Sequence, residues 1–159
     1  LFSMSSAATV VEIERKTGHI LAQYGQADGS YEFDDPAHGF DMQHFPTYTP
    51  DHTLLVHTHV PTETDQQRAY EYQISHDERR LDLIWEFGDG YPEYATYSGE
   101  AVRLENGNTL LNYGTAGEVR EVTADGQIAW EAGFPSHYLI GHTELIADLY
   151  DLVEGPTDR

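Results

Sequence analysis

The chain contains no cysteine and a single lysine, Lys16, and it has no apolar run near the roughly 20 residues that a membrane helix requires. The first absence excludes disulfides, thiol catalysis and thiolate-bound metals. Cations are scarce: 8 Lys and Arg face 28 Asp and Glu, for a net charge of −20. No basic stripe is left to meet nucleic-acid phosphates, and anionic lipid surfaces are disfavoured for the same reason. Neither nucleic acid nor membrane insertion is therefore expected. A surface so rich in carboxylates fits solubility through self-repulsion, and it fits a halophilic, high-salt setting equally well. Core-forming residues are not lacking. A hydrophobic fraction of 39%, with 11 Tyr and 6 Phe, argues against disorder, and 159 residues suffice for a domain with a real core. The first residue is Leu1, so the lack of a signal segment leaves secretion open.

What is present is a phrase stated three times. Residues 10–25, residues 68–88 and residues 118–133 each read as an alternating strand, a turn, a second strand and a closing glycine. The glutamates Glu12, Glu71 and Glu121 recur at about 50 to 60 residues, the period of a repeat array. A second phrase occurs twice, over residues 45–57 and residues 101–114, as strand, tight polar turn, strand. Asn106-Gly107 in that turn predicts a type I′ hairpin, in which both central residues take positive φ, and Asp51-His52 stands in the matching place. Joined, the phrases make four short antiparallel strands, the blade of a β-propeller. The expected fold is all-β: about three four-stranded blades of a larger or oligomeric propeller. Within one partial propeller domain, 1–159, we expect a blade remnant at 9–25, blades at 41–88 and 97–133, and a C-terminal tail at 134–159. The tail stretch 143–153 reads as a final strand or a turn or two of helix. Propellers generally close with four to eight blades. The remaining blades, or a homo-oligomer partner, are thus expected to complete the ring and cover the open inter-blade face.

Three passages carry a family resemblance: Asp41-Met42-Gln43-His44, residues 101–114 with their Leu104-Glu105-Asn106-Gly107-Asn108-Thr109-Leu110 core, and residues 121–131 ending in Trp130-Glu131. With residues 81–88 they resemble the C-terminal part of the arylsulfotransferase (ASST-type) β-propeller family, over about residues 9–150. The resemblance implies transfer of a sulfuryl group from one phenolic sulfate ester to another phenol through a histidine. It implies no cofactor and no nucleotide sulfate (PAPS) donor, and a small aromatic sulfate or phenol as the partner. A periplasmic or extracellular location goes with it. His44 matches an axial histidine of the family, as carrier or as holder of the sulfate, and is the expected catalytic residue. The equivalent place in the next blade is Ser98-Gly99, without a histidine. The alternative is a non-catalytic propeller serving as an interaction or extracellular structural module.

Each residue has a plainer reading beside the functional one. A neutral imidazole is a competent nucleophile toward sulfur, but His44 also suits a backbone hydrogen bond at a blade mouth. Arg103, one of seven arginines, is an expected anion clamp or else a partner for surface acid. Asn108 and His137 complete the expected substrate-binding set, though turn chemistry explains Asn108 equally well. His142 lies near His137 and shares a route toward the axis. His57 and His59 alternate on a strand end, a spacing that suits a metal ligand pair but more simply a polar strand edge. Asp34, Asp35, His38 and Asp41 form an acidic loop better read as solvated than as a Ca²⁺ site. No metal is expected. Trp85 and Trp130 occupy matching repeat positions and are expected to pack between blades.

Overall fold

The structure, a computed structural model, describes residues 1–60, 63–88, 95–135 and 138–146; of Val60 and residues 63–65 only the backbone is described. The described residues hold twelve strands, three 3₁₀ turns and no α-helix. β1 (Phe2–Met4), β2 (Thr9–Ile13) and β3 (Ile20–Gly25) form a first antiparallel sheet. β5 (Asp41–Tyr48), β6 (Leu54–Val60), β7 (Glu63–Ser75) and β8 (Arg80–Phe87) form a second, and the short β4 (Glu32–Phe33) joins it in parallel beside β8. β9 (Glu100–Arg103), β10 (Thr109–Asn112), β11 (Glu118–Val122) and β12 (Ile128–Gly133) form a third. The fold is all-β, and β5–β8 and β9–β12 are each a four-stranded meander in the manner of propeller blades. Residues 54 and 109 open equivalent second strands in separate sheets, as the twice-stated phrase requires.

The middle sheet is buried on both sides, and its sequence shows why. A strand with one wet face alternates; β6 instead runs Leu54-Leu55-Val56, all fully buried. Leu54 and Val56 belong to a core with Val10, Tyr24, Phe40 and Tyr72, which joins the first and second sheets. Leu55, one step out of phase, belongs to a core with Ala69, Phe87, Ala101, Leu111 and Tyr113, which joins the second and third. Since alternate residues share a face, His57 and His59 follow Leu55 toward the third sheet.

The repeated glutamate has a structural meaning. A β-bulge follows it in all three sheets, between Glu12 and Ile13, Glu71 and Tyr72, and Glu121 and Val122. A bulge adds a residue to one strand and re-aims the local side chains. Glu12 then accepts from Tyr24 (3.1 Å) and from Tyr48 of the next sheet (2.8 Å). Glu71 accepts from Thr53 (2.5 Å) and pairs with Arg103 of the next sheet. Tyr48 and Arg103 are each the last residue of their meander's first strand, β5 and β9, so the sheets are latched by one repeated device. Glu121 instead accepts from Asn106 (3.1 Å) and Asn108 (2.5 Å) of its own sheet.

Two sequence expectations change here. The Asn106-Gly107 turn is not type I′. Gly107 alone has positive φ, +85°, and Leu104 brackets the loop through Leu104 N to Asn108 O (2.8 Å) and Gly107 N to Leu104 O (3.0 Å). This is a three-residue hairpin with a bulge, in which only the glycine needs the left-handed region. His52 takes that position in the sister turn, at φ +61°. Trp130 is 42% exposed and does not pack between sheets; its indole donates to Glu121 at 2.5 Å. Trp85 does bridge sheets, packing on the second core and donating to Ala124 O of the third sheet at 3.0 Å. In the tail, residues 143–146 hold neither strand nor helix, and 147–153 lie outside the described residues.

Candidate functional site

β5 is the edge strand of its sheet and an irregular one. Pro46 has no N–H for the ladder, which an edge tolerates. The register with β6 slips twice, on either side of His44. Met42 and Phe45 both stand at φ +46°, the left-handed region that bulky residues avoid at a cost of about 1–2 kcal/mol each. His44 is thus held between two strained residues, and strain of this kind concentrates at functional sites. Neighbouring contacts enforce it. The fully buried Gln43 side chain donates to Thr9 O (2.8 Å) and Ser3 Oγ (3.2 Å), tying β5 to the first sheet. Thr58 Oγ1 accepts from Asp41 N and donates to Asp41 O, both at 2.9 Å, tying the strand to β6.

His44 is half-buried and stands opposite His57 in the register. Burial, and then the charge of His59, hold its pKa below the ordinary histidine value, so the ring is neutral at pH 7. His57 is fully buried and pushed down to about 3, first by desolvation and then by His44 and His59. Neither of its ring nitrogens has a hydrogen-bond partner among the described residues. Its ring lies edge-on to Tyr113 with centroids 5.5 Å apart, and against Gly99, whose missing side chain leaves the room. The glycine in place of a histidine at Ser98-Gly99 is thereby explained: the ring of His57 occupies the space. His59 is half-buried and also shifted down by burial, with Asp41 acting the other way. Its Nε2 lies 2.9 Å from Gln67 Nε2.

The other expected site residues sit elsewhere. Arg103 pairs with Glu71, donates to Gly107 O (2.9 Å) and lies over the Trp85 ring at 5.2 Å. Asn108 is held by Glu121. His137 lies outside the described residues. Among the described residues neither Arg103 nor Asn108 is hydrogen-bonded to His44. In the acidic loop, Asp34 pairs with His38 (2.9 Å) and Asp35 caps the turn by accepting from Ala37 N (2.8 Å). No group of three or more His, Asp or Glu among the described residues is arranged to hold a metal.

A pair at the tail was not legible in the sequence. His142 Nδ1 lies 2.6 Å from Oε1 of the buried Glu100, and this carboxylate raises the His142 pKa. Glu100 Oε2 accepts from Asn112 (3.1 Å) and Thr143 N (2.7 Å), so one buried acid straps the tail to the third sheet. The His142 ring is 5.7 Å from that of Phe45, and both edge a cavity of about 500 Å³ lined also by Val102, Leu104, Leu110 and Leu145. His44 does not line it.

Comparison with known proteins gives one family. The profile described as Arylsulfotransferase (ASST) matches residues 1–135. No curated protein matches. Among solved structures, a protein of unknown function from Bacteroides caccae, known at 1.35 Å resolution, superposes with a TM-score of 0.47 at 15% identity. The alignment covers 81% of this chain and 40% of that one, so the present chain spans less than half of its length.

Proposed function

This chain belongs to the arylsulfotransferase (ASST) family, and from that premise we propose that His44 is the residue that receives and passes on a sulfuryl group between phenolic compounds. The observation that carries this reading is the seat of His44: an edge strand broken on both sides of it, two left-handed neighbours, and burial that keeps the imidazole uncharged. A nucleophile needs a free lone pair at the working pH, and desolvation supplies one here. In the first step a ring nitrogen of His44 bonds to sulfur, the S–O bond to the aryl group breaks and a phenolate leaves. In the second, the acceptor phenol's oxygen bonds to sulfur and the S–N bond breaks. The acceptor's proton passes to solvent or to the departed phenolate. Nothing is oxidised or reduced, and no cofactor enters.

The reading rests on His44 and not on Arg103 or Asn108, whose Nη2 and Nδ2 are engaged by Glu71 and Glu121. That engagement favours the second reading, a propeller that has kept the scaffold without the chemistry. The test is transfer from a nitrophenyl sulfate to a phenol in the full-length protein. His44→Ala is expected to abolish it with the fold unchanged, and His44→Asn likewise, since an amide can hold a sulfate but cannot become a sulfo-enzyme. Undiminished transfer in His44→Ala would overturn the assignment; no transfer in the wild type would favour the scaffold reading. Donor, acceptor, and a periplasmic or extracellular setting belong to the same proposal; no helix among the described residues is long and apolar enough to cross a membrane.

A further inference from the structure

A buried amide faces His59. Gln67, in β7, is 1% exposed and stands opposite His59 in the register. Its carboxamide meets one backbone residue twice: Nε2 donates to Ala95 O at 2.7 Å, and Ala95 N donates to Oε1 at 3.1 Å. A carbonyl oxygen can only accept and an amide N–H can only donate. The reversed amide would lose both bonds and bury two unsatisfied groups, so the orientation is determined. One hydrogen of Nε2 is used on Ala95 O. The other meets His59 Nε2 at 2.9 Å, and that nitrogen must accept. It therefore carries no proton, and the single proton of a neutral ring sits on Nδ1.

We propose that Gln67, clipped by Ala95, locks His59 as the neutral Nδ1–H tautomer, so that it is not a second base beside His44. Among the described residues, Asp41 and His44 from β5, His57 from its own strand and Gln67 from β7 act on His59. Asp41 draws a proton to the ring. Protonation at Nε2, however, would set two N–H groups against each other at 2.9 Å. The consequence, which rests on the function proposed above, is a division of labour among three histidines. His57 is sealed by Gly99 and Tyr113, and His59 has its one lone pair spent on Gln67. His44 is left as the nucleophile.

Nitrogen-15 NMR of the ring nitrogens in the full chain reads the tautomer directly and needs no substrate. In the wild type at pH 7.5, His59 is expected to show a protonated Nδ1 and a bare Nε2, and to resist protonation well below the ordinary histidine midpoint of about 6.5. Gln67→Glu replaces the donor with an acceptor. It should put the His59 proton on Nε2 and move the midpoint above 6.5. A wild-type His59 carrying its proton on Nε2, or titrating at or above 6.5, overturns the proposal. So does a Gln67→Glu spectrum identical to the wild type. Should Gln67→Glu not fold, the wild-type spectrum decides alone. A wild type with the stated tautomer and no transfer activity sinks the carrier reading and leaves the lock standing.

Discussion

Gly99→Ala adds one methyl group where the structure has no room. An ideal Cβ on Gly99 would lie 3.0 Å from His57 Cγ, 2.5 Å from Cε1 and nearer still to Nδ1. The ring cannot retreat, because it is fully buried and braced by Tyr113. No positive φ applies at Gly99, so with space available the substitution would stabilise by about 0.4–1 kcal/mol through the unfolded chain. Overpacking a tight core costs about 1–3 kcal/mol, and a clash this close with an immobile ring belongs at the upper end. The sign itself is therefore the test. We expect a net loss of about 2 kcal/mol, near 4–8 °C in Tm for a chain of this size. Urea unfolding followed by circular dichroism measures it. His57→Ala removes the obstacle, so Gly99→Ala should cost far less in that background, with a coupling of about 1–3 kcal/mol between the sites. A stabilised Gly99→Ala protein, or strict additivity in the double variant, would refute the packing argument.

Three further outcomes follow from the same contacts. Acid should destabilise the fold early: His57, depressed to about 3, with His44 and His59 also lowered, binds protons more readily when unfolded. The stability is full above the ordinary histidine value of about 6.5 and is lost as pH falls from there toward 3, at up to about 1.4 kcal/mol per pH unit for each histidine. His57→Phe should flatten this slope in melts taken from pH 7 to 4; an unchanged slope would show that His57 is not buried neutral. Arg103→Ala leaves the largely buried Glu71 without its cation and should cost about 3 kcal/mol in urea unfolding; a loss under about 1 kcal/mol, the worth of a surface pair, would refute the latch. With a net charge of −20, Tm should rise with added KCl, most steeply below about 0.15 M where charges still interact beyond about 8 Å; a flat or falling Tm would remove the repulsion account.

The sequence by itself determined ten of the twelve described strands, all but the short β1 and β4. Alternation over residues 10–13 and 118–122, the unbroken apolar Leu54-Leu55-Val56 and the glycine turns are properties of neighbours along the backbone, and backbone neighbours are what periodicity reports. The repeat of Glu12, Glu71 and Glu121 was visible, and so was the singling out of His44 through its family phrase. What the repeat was for, and which histidine is in which state, only the tertiary structure decided. Arg103 reaches Glu71 across 32 residues of sequence, Gln67 reaches Ala95 across 28 and His142 reaches Glu100 across 42. A polar side chain's role depends on the group that faces it, and facing groups come from other strands and other sheets. Arg103 as an anion clamp and Arg103 as an inter-sheet latch are the same letter in the same strand; the bulge after Glu71 chose between them. His57 and His59 share one strand face and two-residue spacing, yet Gly99 seals the first and Gln67 orients the second. Packing and hydrogen-bond partners set their protonation, and neither is encoded in the local pattern.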